Sequence, residues 1–132
     1  MLLADLDILA RTVWGESRSE EFLGQVSVAH VVLNRVKSKH RRETTISGAA
    51  TEPYQFSCWL ENDPNREKLF SVNLSDHTFR LAYKAALSAI DGQDPTHGAT
   101  HYHTISIAKP PWAKNKTPIV TIGNHMFYTG IR

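Results

Sequence analysis

The sequence predicts an α+β domain, mainly helical, with a small antiparallel β-element at its C-terminal end. Three observations carry that expectation. Apolar residues step by three or four through residues 2–36 and 79–90, the last forty residues change period, and Gly123-Asn124 separates two short apolar runs where a two-residue hairpin turn belongs. With 132 residues, 41% hydrophobic and 21% charged, the chain reads as one domain over residues 1–132, long enough to hold a core without disulfides or a structural metal.

The first helix is read from Leu2, Leu6, Leu9 and Val13, and the next position on that stripe is Glu16. Ser17-Arg-Ser-Glu20 then reads as a break and a new N-terminus, with Ser17 and Glu20 in capping-box spacing and Ser19 as the alternative cap. A second helix presents Phe22, Val26, Ala29, Leu33 and Val36. From Glu43 to Ser75 periodicity disappears around Gly48, Pro53 and Pro64, and this stretch is expected to be a long, partly ordered loop. Ser75 or Asp76 caps a third helix with Phe79, Ala82, Ala86 and Ile90 inward, and Gly92 stops it. Thr100–Ile107 reads as a strand, Pro110-Pro111 breaks it, and Ile119–Ile122 with His125–Tyr128 forms the hairpin.

Composition excludes several classes. The formal net charge is +2 with seven histidines, too mild for a nucleic-acid stripe; the dense cluster Lys37-Ser-Lys-His-Arg-Arg42 reads first as a solvated helix end. No apolar segment approaches the roughly 18 residues of a membrane span, so membrane insertion is not expected. Cys58 is alone and forms no intrachain disulfide. Nothing in the composition calls for a cofactor, and the chain is expected to act as a monomer.

Glu16 is the first candidate for chemistry. A carboxylate that completes a core-facing stripe is paired, protonated or functional, because burying an unpaired charge is costly. Partial desolvation raises its pKa, as a general acid requires, although position alone equally allows a helix-end glutamate in water. Most glycosidases need a second carboxylate across the sugar. Glu52, Glu61, Asp63, Asp91 and Asp94 all fall in loops or at helix ends, where turn and capping roles fit better. One carboxylate still suffices when the substrate's own hydroxyl attacks the anomeric carbon. His101 and His103 alternate with Tyr102 on the predicted strand, and with His97, His125 or Asp94 as a third ligand they would give a zinc site of no strong motif. Tyr54, Phe56, Trp59, Tyr102, Trp112, Phe127 and Tyr128 could furnish a sugar groove; Phe127 is expected to be buried and Trp112 exposed.

The strings Ala10-Arg-Thr-Val-Trp-Gly-Glu16-Ser17 and Gly24-Gln-Val-Ser-Val-Ala-His-Val-Val-Leu-Asn-Arg-Val36 resemble the opening of the spore cortex-lytic enzyme or cell wall hydrolase family. Tyr54-Gln-Phe-Ser57, Asp94-Pro-Thr-His-Gly-Ala-Thr-His-Tyr-His103 and Thr121-Ile-Gly-Asn-His-Met-Phe-Tyr128 extend the resemblance over almost the whole chain, in order. The resemblance implies a lysozyme-like fold and cleavage of the bond between N-acetylmuramic acid and N-acetylglucosamine in peptidoglycan, by lytic transglycosylation or as a muramidase. It makes Glu16 the catalytic acid and lines the cleft with Gln55, Phe56 and Ser57. Tyr102, His103, Trp112, Asn124 and His125 are the further expected substrate contacts. The sequence departs from the family at His101-Tyr102-His103, where a tyrosine run ending in asparagine is more usual.

The expected partner is thus a peptidoglycan glycan strand. Asp5 and Asp7 interrupt the apolar run that an export signal needs, so the chain resembles a phage-type endolysin, made in the host cytoplasm and reaching the wall after release. Two other readings stay open at this level. One is a zinc-dependent amidase or peptidase using His97, His101 and His103, and the other is a wall-binding module that does not cut.

Overall fold

The computed structural model describes residues 3–38, 45–51 and 56–131. Five helices and one sheet make up its regular structure: α1 (Leu3–Ser17), α2 (Phe22–Ser38), α3 (Ile46–Thr51), α4 (Asn65–Ser71), α5 (His77–Asp91), then β1 (His101–Thr104), β2 (Val120–Ile122) and β3 (His125–Tyr128). The α+β architecture and the helices-then-strands order agree with expectation. The stretch expected to be loop is more ordered than its sequence suggests: it contains α3, a 3-10 turn at Ser57–Trp59 and α4, each too short to show a helical period. Leu2, the Lys39–Arg42 part of the basic cluster, Glu52, Pro53, Tyr54 and Gln55 lie outside the described residues. No helix among those described is long and apolar enough to cross a membrane.

Helices α1, α2 and α5 pack on one another, and α3 and α4 lean on α1. The expectation of a one-sided α2 fails. Gly24 to Val32 is buried without interruption, while Phe22, assigned to the inner stripe, is 45% exposed. A helix covered on all sides must satisfy its polar side chains internally. Ser27 returns its hydroxyl to the Leu23 carbonyl, Asn34 Nδ2 donates to the Asp94 carboxylate (2.8 Å) and the Ala99 carbonyl (2.9 Å), and Arg35 Nε donates to the Thr100 carbonyl (2.6 Å). Those bonds dock the segment entering β1. Asp94 shapes it further by accepting from the Thr96 and Gly98 amides, which stabilises a turn whose His97 and Gly98 have positive φ.

Helix α5 behaves as read. Asp76 accepts from the Thr78 and Phe79 amides as N-cap, and Phe79, Ala82, Ala85, Ala86 and Ala89 form the buried face, although Ile90 stays exposed. Small residues there let α1 and α2 approach closely.

The sheet order is β1-β3-β2, antiparallel throughout, with Tyr102 opposite Phe127 and Ile122 opposite His125 across the Gly123-Asn124 turn. Gly123 has φ +57°, the left-handed value wanted at the first central position of a hairpin turn. β1 is shorter than expected, because Ile105 leaves the ladder after its amide bonds the Asn124 carbonyl. Alternation gives the sheet two different faces. Tyr102, Phe127, Val120 and Ile122 join the helical core, whereas His101, His103 and Tyr128 meet Trp112 on the other face.

Candidate functional site

The site begins with the last turn of α1. Gly15 lets this turn press against the 3-10 turn that follows Phe56: a Cβ at position 15 would lie 2.7 Å from Cys58 Cβ and 2.9 Å from Leu69 Cδ1. That approach carries the next residue, Glu16, to the Ser57–Cys58 backbone. Glu16 Oε2 accepts from the Cys58 amide (3.3 Å) and the Ser57 hydroxyl (3.4 Å), and Oε1 accepts from the Tyr102 hydroxyl (2.8 Å). Three segments therefore converge on one carboxyl group: the end of α1, the 3-10 turn and the middle of β1.

Its electrostatics are a contest. Burial raises the pKa of Glu16, and the donors Tyr102, Cys58 and Ser57 pull it down; burial prevails and the net shift is upward. Tyr102 stays a neutral donor, since burial and then the adjacent Glu16 charge hold its own pKa well above normal. The same two causes keep the Cys58 thiol protonated, so it is no nucleophile. A carboxyl group held by oriented donors, with its acid form favoured, can deliver a proton to a leaving oxygen and afterwards hold the resulting negative charge.

The other residues singled out from sequence fall in several places. Ser57 and Tyr102 stand at Glu16, and Gln55 lies outside the described residues. Phe56 is instead a core residue, 1% exposed, with the Arg35 guanidinium 4.7 Å above its ring. His103 is turned to the far face of the sheet, where Nε2 meets the Tyr128 hydroxyl (2.8 Å) and Nδ1 the Thr104 carbonyl (2.9 Å). Trp112, expected to be exposed, packs there between His101 and His103 with ring centroids 5.1 and 5.8 Å away, because alternation sends these odd-numbered side chains away from Tyr102. Asn124 sits at the hairpin tip, tied to Glu20. His125 is buried behind Tyr102, ring centroids 4.9 Å apart. Phe127 is fully buried, as expected.

The proposed zinc ligands do not assemble. His97 is exposed on the 94–98 turn while His101 and His103 are buried under Trp112, and among the described residues no three His, Cys, Asp or Glu side chains are placed to hold a metal. Trp14, two residues before Glu16, donates its indole N–H to Thr78 Oγ1 (2.8 Å) and lies under Arg18, fastening α1 to α5. A cavity of about 820 Å³ opens elsewhere, beside His30, Asn34, Asp94 and Thr100. None of the hydrogen-bonded group at Glu16 lines it, so the site rests on hydrogen-bond geometry and not on cavity size.

Sequence reasoning missed Gly15, Cys58 and Glu20. Cys58 acts through its backbone amide, which leaves no side-chain signature. The Ser17–Glu20 capping box is not formed: Ser17 is still inside α1 and returns its hydroxyl to Val13, which leaves Glu20 free to reach the hairpin.

Comparison with known proteins places this geometry. Residues 19–128 match the Cell Wall Hydrolase family. The chain is 37% identical over 123 residues to a spore cortex-lytic enzyme of Bacillus cereus, and 32% identical over 127 residues to that of Bacillus subtilis. Each alignment takes in 93% of this chain but only 43% and 37% of the relative, so the chain spans less than half the length of these relatives. Among solved structures, the catalytic domain of the Bacillus cereus SleB protein superposes with a TM-score of 0.80 at 36% identity, covering 98% of this chain and 92% of that one. The catalytic domain of the germination-specific lytic transglycosylase SleB from Bacillus anthracis matches equally, at TM-score 0.80 and 36% identity over 98% of this chain and 97% of that one. With 110 residues matched to the family and more than nine-tenths of its length aligned to these relatives, the chain belongs to the cell wall hydrolase family.

Proposed function

We propose that this chain cuts peptidoglycan glycan strands at the bond between N-acetylmuramic acid and N-acetylglucosamine, with Glu16 as general acid. The observation that carries the reading is the Glu16 carboxyl group, its pKa raised by burial, gripped by Tyr102, Cys58 and Ser57 at the meeting of α1 and β1. Glu16 passes its proton to the glycosidic oxygen as the bond to the anomeric carbon breaks. The carboxylate left behind then takes the proton of the incoming nucleophile. With one carboxylic acid among the described residues at the site, the nucleophile is the substrate's own hydroxyl, which leaves an anhydro sugar end. The likeness to a lytic transglycosylase catalytic domain supports the same route. Ser57 and Tyr102, which hydrogen-bond Glu16, are the sugar contacts proposed beside it.

The test is digestion of purified peptidoglycan followed by mass spectrometry. Release of muropeptides whose ends are one water lighter than a reducing end identifies transglycosylation, and reducing ends identify hydrolysis by the same acid. Glu16→Gln keeps the shape and removes the proton, and a loss of about 10²–10⁴-fold in rate with the fold intact is expected. Full activity in that variant, or release of stem peptides alone, would overturn the proposal.

A further inference from the structure

A second carboxylate lies on the linker between α1 and α2. The Glu20 side chain is 7% exposed, its Oε1 accepts from the Asn124 amide (2.9 Å) and its Oε2 accepts from Asn124 Nδ2 (3.0 Å). The turn is shaped to receive it: a Cβ on Gly123 would fall 2.5 Å from Glu20 Oε1, so this glycine is needed for room as well as for its φ of +57°. Burial pushes the Glu20 pKa up, but the two Asn124 bonds and the neighbouring His125 outweigh it, and the group is held as a carboxylate.

From this clamp a chain of contacts runs to Glu16. His125 follows Asn124, is 4% exposed, and has Nδ1 3.8 Å from Glu20 Oε1. Its ring meets that of Tyr102 edge-on at 4.9 Å, and the Tyr102 hydroxyl donates to Glu16. Asn124 is also tied to β1, through the Ile105 amide on its carbonyl (2.8 Å). The small sheet is thus fastened to the helices at two ends. Asn34 and Arg35 hold the backbone at Ala99 and Thr100 before β1, and Glu20 holds the hairpin tip beyond it. Tyr102 lies between the two attachments, on the sheet face that packs against the helical core.

We propose that Glu20 is a positioning residue: by clamping the Gly123-Asn124 tip to the α1–α2 linker it sets the sheet against α1 and so keeps the Tyr102 hydroxyl on Glu16. The inference rests on the reading of Glu16 as the acid.

The experiment uses the full chain and soluble glycan oligomers from peptidoglycan, with rates expressed per folded molecule. Glu20→Ala is expected to lower kcat about 10–100-fold with KM within about threefold, as a displacement near 1 Å does at a reacting group. Glu20→Gln, isosteric and able to keep both contacts once the Asn124 amide turns over, is expected to recover most of that loss. In a Tyr102→Phe background the further effect of Glu20→Ala is expected to shrink below about twofold, since the hydroxyl it positions is gone. A merely structural residue would lower Tm but leave kcat per folded molecule unchanged, or add its effect in full to Tyr102→Phe, and either result overturns the inference. If Glu20→Ala does not fold, Asn124→Ala, which removes one of the two bonds, is expected to lower kcat several-fold, and an unchanged kcat there counts equally against it. Full activity in Glu16→Gln defeats the acid reading itself, whereas an inactive Glu16→Gln beside a normal Glu20→Ala defeats only the clamp.

Discussion

Replacing Gly15 by alanine separates packing from helix propensity and links both to the chemistry. Alanine favours the helix by up to about 1 kcal/mol over glycine, so an open site would be stabilised. The site is not open. The new methyl would meet Cys58 Cβ at 2.7 Å, Cys58 Sγ at 2.9 Å and Leu69 Cδ1 at 2.9 Å, all buried atoms with little freedom to retreat. Overpacking of that kind costs about 1–3 kcal/mol. Against the helix gain, the net effect is destabilisation of up to about 2 kcal/mol, or up to roughly 10 °C in Tm for a chain of this size. The strain falls on the turn that carries the Cys58 amide and Ser57 hydroxyl, which already reach Glu16 at 3.3 and 3.4 Å, so those bonds are the first to lengthen. Turnover is expected to fall about tenfold, measured by release of soluble muropeptides, beside thermal unfolding by circular dichroism. A rise in Tm with unchanged turnover would refute the close approach of α1 to this turn.

Three further predictions follow from the same geometry. Tyr102→Phe removes one of the donors that pull the Glu16 pKa down, so the basic limb of the kcat profile, where the acid form is lost, is expected to move upward; a limb that stays or moves down contradicts this. Glu16→Gln is expected to be more stable than the parent at pH 7: with its folded pKa raised, Glu16 costs stability as pH climbs from 4.5 through the folded value, so the gap between the variants should close toward pH 4 in urea titrations. His30 and His125 are held below 6.5, in both cases chiefly by burial, so they resist protonation when folded and accept it when unfolded. Their contribution to stability is expected to be complete above pH 6.5 and to fall as pH drops below it, and replacing His30 by Gln should flatten that slope in equilibrium unfolding.

The helical half and the hairpin are legible in the residues because their determinants are local. The stripe through Leu9 and Val13, the Asp76 cap and the Gly123-Asn124 turn each need only neighbours a few positions away, and all three take the expected form. The position of Glu16 at the end of its stripe is legible for the same reason. The residues around α2 show where this reading stops. Its polar side chains Asn34 and Arg35 look like surface positions, yet they are buried because the 94–100 segment folds over them.

The choice of partners for Glu16 belongs to the same class of long-range facts. Sequence period alone puts Tyr102 and His103 on opposite faces of a strand, but cannot say which face will meet the helices; docking of that face sends Tyr102 to Glu16 and His103 beneath Trp112. Gly15 and Glu20 read locally as a helix glycine and a cap. Their roles appear only when residues 43 and 104 positions further along the chain arrive beside them. Local pattern determined the three long helices and the hairpin, though not the short α3 and α4, and where a carboxylate would meet the core, since backbone propensity and periodicity act over one or two turns. The tertiary structure decided which groups surround that carboxylate, because hydrogen bonding and burial depend on distance in space and take no account of distance along the chain.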